Sequence, residues 1–153
     1  MNDASFMSLA IEQARIGLTE GGIPIGAVLV VDDVVLGSGR NRRVQNDRAI
    51  HHGEMNALEL AGRQTAETYA KAVMYTTLSP CPMCTGAMLL YGIRRVVIGE
   101  NTTFMGSENL LRSNGVSVSV LDSAECSQLM AEFIAAHPAI WNEDIGVVDA
   151  STV

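Results

Sequence analysis

The sequence predicts an α/β fold of three layers, a five-stranded mixed sheet with helices on both faces. Two observations carry this. After an opening hairpin, short β-branched runs alternate with helical patterns, the order that builds a sheet covered on each side. The chain has 153 residues, 48% hydrophobic and 18% charged, which suits one domain spanning 1–153 with its core at about 5–146.

From Ser5 to Leu18, Phe6, Leu9, Ala10 and Ala14 recur at helical spacing, with Ser5 or Asp3 as N-cap. Glu20-Gly21-Gly22 ends that helix. Ala27 to Val31 is a strand, Asp32-Asp33 a turn, and Val34 to Gly39 the returning strand. Arg40 to Arg48 shows no periodicity and reads as a polar loop. His51 to Gly62 reads as a helix with Met55, Leu58 and Ala61 inward, followed by a connector over Thr65 to Lys71. Val73 to Thr77 is a strand that runs through Leu78-Ser79-Pro80 into a helix from about Cys81 to Tyr91, stopped by Gly92. Arg95 to Ile98 is a strand, Ser107 to Arg112 a short helix, Asn114-Gly115 a turn, and Val116 to Leu121 the fifth strand. Asp122 or Ser123 caps a last helix that runs to about His137, with Met130, Phe133 and Ile134 as its core face.

The formal net charge is −7. Polynucleotide binders present basic patches to phosphates, and the only basic cluster here is Arg40, Arg42 and Arg43. The balance favours a small neutral substrate over nucleic acid. Apolar runs are too short to span a bilayer, and Met1-Asn2-Asp3-Ala4 lacks a basic leader. Three cysteines do not make a disulfide framework, so a cytoplasmic protein without membrane attachment is expected.

The chemistry concentrates in His52-Gly53-Glu54 and Pro80-Cys81-Pro82-Met83-Cys84. Catalytic zinc takes three nitrogen or sulfur ligands in tetrahedral geometry and leaves the fourth position to water. His52, Cys81 and Cys84 supply that set, for one zinc per chain. Two thiolates and a neutral imidazole balance the ion's charge. Glu54 lies two residues from a ligand and is free to move protons. Cys-x-x-Cys alone would suit a redox pair or chance burial equally well, but a structural zinc knot has four ligands, and Cys126 is far along the chain in another helical pattern. His51 lacks the His-x-Glu spacing and points about 100° away from His52 on a helix, so it is expected to be structural or solvent-facing.

The pattern H-x-E…P-C-x-x-C is the known signature of zinc deaminases. With Gly21-Gly22-Ile23-Pro24-Ile25-Gly26, Tyr75 to Cys81, Cys84-Thr85-Gly86-Ala87, Tyr91-Gly92-Ile93, Gly99-Glu100-Asn101 and Trp141 to Gly146, the chain resembles the fungal cytosine deaminases from about Ile11 to Gly146. The zinc motif alone would imply only the wider cytidine deaminase-like superfamily. The resemblance implies that superfamily's fold, a homodimer, one zinc per subunit, and conversion of cytosine to uracil and ammonia in pyrimidine salvage. By position it implies that Asn41 binds the polar edge of the pyrimidine, and that the Gly53 and Cys81 N–H groups face the ring. It implies that Ser79 and Asp144 meet the leaving amine, and that Phe104 and Trp141 wall the pocket above Ile25. The apolar helix after Cys84 (Ala87, Met88, Leu89, Leu90) adds to the expectation of a dimer. Arg42, Arg43 and the tail Val147–Val153 depart from the family pattern. The alternatives are deamination of guanine, isocytosine or a related heterocycle, a tRNA adenosine deaminase, and a non-catalytic zinc interaction module.

Overall fold

The computed structural model describes residues 2–148. In chain order the elements are α1 (Asp3–Thr19), β1 (Gly26–Val31), β2 (Val34–Arg40), α2 (Arg43–Asn46), α3 (Gly53–Ala61), α4 (Ala66–Lys71), β3 (Val73–Leu78), α5 (Pro82–Tyr91), β4 (Arg95–Glu100), α6 (Glu108–Ser113), β5 (Ser117–Val120), α7 (Ala124–Ala136) and α8 (Pro138–Asp144). Residues 149–153 of the expected tail lie outside the described residues.

The sheet order is β2-β1-β3-β4-β5. β1 runs antiparallel to β2 and β3, while β3, β4 and β5 are mutually parallel, so the expected five-stranded mixed sheet is present. Alternation along β1 divides the core. Ala27 and Leu29 pack with α3 and α5 through Ala57, Leu58, Cys84 and Met88. Val28 and Val30 pack on the other face with Phe6, Met7 and Ala10 of α1 and Cys126 of α7. That is three layers. Asp32 and Asp33 turn the hairpin with φ of 48° and 62°, the left-handed pair that matches strand twist. Close packing of α3 needs Gly39, where a Cβ would lie 2.3 Å from the Ala57 nitrogen.

Several expectations change. Asn2, not Ser5 or Asp3, caps α1, its side chain accepting from the Ser5 N–H, and Leu9 is 40% exposed because it falls off the stripe of Phe6, Ala10 and Ala14. The loop after β2 contains the short helix α2. The Thr65–Lys71 connector is largely helix, because the Thr65 side chain accepts from the Thr68 N–H and caps α4. His51 and His52 precede α3 rather than open it, so the 100° argument separating them does not apply; His52 is the N-cap. α7 is not the last helix. Pro138 stops α7 but sits in the first turn of α8, where its missing N–H costs nothing.

Candidate active site

The two motif stretches meet at the ends of α3 and α5. His52 is the N-cap of α3 and Cys81 the N-cap of α5, with Pro82 opening the helix behind it. Cys84 lies one turn inside α5, and its N–H points to Cys81 Sγ at 3.5 Å. Ligand atoms of His52, Cys81 and Cys84 all lie within 4.8 Å of one another. Cys81 Sγ is 3.4 Å from His52 Nδ1. Tetrahedral zinc with ordinary Zn–N and Zn–S lengths sets such a pair ~3.5 Å apart. His52 Nε2 is 3.2 Å from Asp144 Oδ1. A proton on Nε2 shared with that carboxylate leaves the Nδ1 lone pair facing the sulfurs, the usual second partner of a zinc histidine. The donor set therefore fits zinc in kind, spacing and charge.

The protein groups alone favour ionisation of Cys81 but not of Cys84, and they hold a proton on His52. Burial opposes charge on His52, but Asp144, then Cys81, hold its proton and push it up to about 10. Cys81 is brought down to about 4, first by the Cys84 thiol and then, against burial, by His52. Cys84, bonded to Cys81 and buried, is raised well above the ordinary thiol value. Zinc binding requires a neutral imidazole and releases the Cys84 proton. The N-termini of α3 and α5 favour the negative charge that results.

Glu54 is 3% exposed, in the first turn of α3. Its Oε1 accepts from Thr76 Oγ1 at 2.8 Å. Burial raises its pKa, and the neighbouring His52 only partly offsets this. Thr76 was absent from the sequence-derived site. The available signal was a hydroxyl between Met74 and Leu78 on the inward face of β3, where all three are buried.

Over this floor lies a narrow cavity of about 20 Å³ lined by Ile25, His52, Glu54, Ser79, Phe104, Trp141 and Asp144, among others. It adjoins a cleft of about 230 Å³ that shares His52, Cys81, Phe104 and Asp144 and is bounded by Arg43. Phe104 and Trp141 meet edge to face, ring centres 5.8 Å apart. Asn41, fully buried, donates from Nδ2 to Asp144 Oδ1 at 3.0 Å and accepts the Arg43 N–H on Oδ1 at 3.1 Å. Arg43 also reaches Glu143 at 3.1 Å, tying α8 to the loop after β2. Every substrate residue expected from sequence thus borders one cavity or supports its wall; Gly53 is buried beside Ile25. His51, as expected, bonds at the periphery, to Asn46.

Two buried carboxylates were not foreseen. Glu100 Oε2 accepts from the Thr102 and Thr103 N–H groups at 2.7 and 3.0 Å, shaping the turn that delivers Phe104. Glu108 accepts from Ser79 Oγ at 2.7 Å. The loop between them packs tightly on Pro80: a Cβ at Gly106 would lie 2.0 Å from the Pro80 oxygen.

Residues 1–100 match the family described as the cytidine and deoxycytidylate deaminase zinc-binding region. Cytosine deaminase of Candida albicans is 55% identical over 146 residues, 95% of this chain and 97% of that protein. The chain belongs to the zinc-dependent cytidine and deoxycytidylate deaminase family. A solved tRNA:A34 deaminase superposes with a TM-score of 0.69 at 27% identity, covering 82% of this chain and 99% of that one. Guanine deaminase from Nitrosomonas europaea, at TM-score 0.72 and 23% identity over 88% of this chain and 85% of its own, shares the fold of this deaminase family.

Proposed function

We propose that the protein is a single-domain hydrolase that converts free cytosine to uracil and ammonia with one zinc per chain. The observation that carries this is the cavity itself. A three-donor zinc set and the buried Glu54 form its floor, and Asp144 of α8, bonded to Asn41, closes it from above. Likeness to a cytosine deaminase over nearly the whole chain supports the choice of base.

Zinc, when held by His52, Cys81 and Cys84, supplies a water acidic enough to lose its proton near neutral pH. Glu54 receives that proton and passes it to ring N3, then takes the remaining proton from the hydroxyl added at C4 and delivers it to the amine, which leaves as ammonia as the C4 carbonyl forms. Thr76 holds one carboxylate oxygen, which leaves the other to do this. Asn41 offers donor and acceptor to the pyrimidine's polar edge, and the Gly53 and Cys81 N–H groups face the ring. Asp144 and Ser79 accept from the exocyclic amine, and Phe104, Trp141 and Ile25 sandwich the ring. The cavity is narrow enough that α8 and Phe104 must yield to admit a ring, and little room remains for a sugar.

A net charge of −7 and a covered site favour a free base over a polynucleotide. We assign the enzyme to the cytoplasm and to pyrimidine salvage; no helix among the described residues is long and apolar enough to cross a membrane. It acts as a homodimer. Leu90 and Tyr91, exposed at 76% and 43%, line a groove between α3, α4 and α5, and Leu60 of α3 is exposed at 59%. Met88, by contrast, is core and contributes nothing to such a surface.

The test is a panel of free bases and nucleosides with ammonia release as the common readout. Cytosine turning over faster than cytidine, guanine or isocytosine at equal concentration supports the reading. Faster release from any of the others contradicts the choice of base, and none from any contradicts the enzyme.

A further inference from the structure

We propose that Glu108 is a positioning residue that makes Ser79 an acceptor-only group toward the base, so that the cavity prefers an amino-bearing ring to the carbonyl-bearing product. This rests on the reading that the cavity takes cytosine.

Glu108 and Ser79 are each 2% exposed. Ser79 has two protons to give, one on the backbone nitrogen and one on the hydroxyl. The N–H donates to the Glu100 carbonyl at 3.0 Å. The hydroxyl oxygen accepts the Gly106 N–H at 2.9 Å and lies 2.7 Å from Glu108 Oε2. An amide N–H can only donate, so the hydroxyl proton goes to Glu108. Glu108 is kept an acceptor by Asn101 Nδ2 at 3.2 Å and Arg112 Nη2 at 3.4 Å. Both protons are therefore committed, and whatever part of Ser79 borders the cavity can only accept. Asp144 beside it is a carboxylate acceptor. An exocyclic amine donates to such a pair. The carbonyl that replaces it would set lone pair against lone pair, and a site built on buried polar groups rejects that mismatch strongly.

A plainer role is also available to Glu108: an acid at the start of α6 that ties down a loop. That role predicts lost stability, not altered discrimination. Glu108→Gln separates the two, because its amide can donate to Ser79 and release the hydroxyl proton toward the cavity. The experiment uses zinc-loaded Glu54→Gln protein, in which bound base persists. Trp141, the chain's one tryptophan, reports binding of cytosine and of uracil by fluorescence.

Adding Glu108→Gln is expected to lower the ratio of uracil Kd to cytosine Kd by about tenfold, one misdirected hydrogen bond. Adding Ser79→Ala to that form removes the loose proton, together with the hydroxyl acceptor, so the ratio recovers in part, carried by Asp144 and the Ser79 backbone. Glu108→Asp, which keeps an acceptor, retains the ratio even where the melting temperature falls, and it decides alone if the glutamine form does not fold. An unchanged ratio in Glu108→Gln, no recovery with Ser79→Ala, or a collapsed ratio in Glu108→Asp overturns the proposal. If native enzyme releases no ammonia from cytosine while the ratio behaves as expected, the catalytic reading falls and this one stands. Native turnover with an unmoved ratio does the reverse, and binding of neither base overturns both.

Discussion

Replacing Asp144 with alanine removes the carboxylate whose Oδ1 two buried donors share. Asn41 Nδ2 lies 3.0 Å and His52 Nε2 3.2 Å from Asp144 Oδ1. The Asp144 side chain is 2% exposed, so water does not readily replace it. Each orphaned donor costs about 1–3 kcal/mol, and because they share one acceptor the costs overlap, giving roughly 2–4 kcal/mol in all. Part of that appears at the metal. His52 loses the partner that fixes its tautomer and ring angle, and such losses weaken zinc binding by about 10–100-fold. Part appears in catalysis, where the amine loses its charged acceptor, a loss of tenfold or more in rate, roughly. Chelator competition gives the zinc affinity, and ultraviolet absorbance at saturating zinc gives turnover of cytosine. An Asp144→Ala protein with native zinc affinity and near-native turnover would refute the reasoning, since the contact to His52 would then carry nothing.

Three further outcomes are expected. Gly106→Ala forces a methyl against the Pro80 oxygen, so thermal unfolding should show a loss of about 1–3 kcal/mol, with weaker zinc retention because the clash lies next to Cys81. Asp3, held below its ordinary 3.8 first by Arg95, gains stability from ionisation in the fold. That gain is fully present above the unfolded value and is lost as pH falls through the lower folded one, so Asp3→Asn should reduce the melting temperature at pH 7, and the gap should close as pH falls below the folded value; being partly exposed, the pair is worth at most about 1 kcal/mol. Light scattering at micromolar concentration should give the mass of two chains, and a monomer mass would remove the dimer.

The zinc set was legible because its signal is local. Cys81 and Cys84 are three residues apart, and Glu54 two from His52, so spacing alone carries geometry. The sheet was legible for a similar reason: β1 to β5 are runs whose apolar and β-branched content stands apart from their flanks. What sequence missed depends on distant partners. Thr76 reaches Glu54 across 22 positions and Ser79 reaches Glu108 across 29. Neither residue type suggests its partner. α8 was missed as a helix because proline both stops and starts helices, and Pro138 does both. Asn41 and Asp144, 103 residues apart, are assigned to one pocket only through resemblance, at opposite edges of the base, and their direct contact is visible only once α8 is seen to cover the cavity.

The most direct measurement of the account is turnover of cytosine by Glu54→Gln at full zinc occupancy. The substitution is nearly isosteric and leaves His52, Cys81 and Cys84 untouched. One zinc per chain, a native circular dichroism spectrum and a fall in kcat of about 10²–10⁴-fold are expected, since the group that moves every proton is gone. Zinc-loaded Glu54→Gln protein that turns cytosine over at close to the native rate would contradict this.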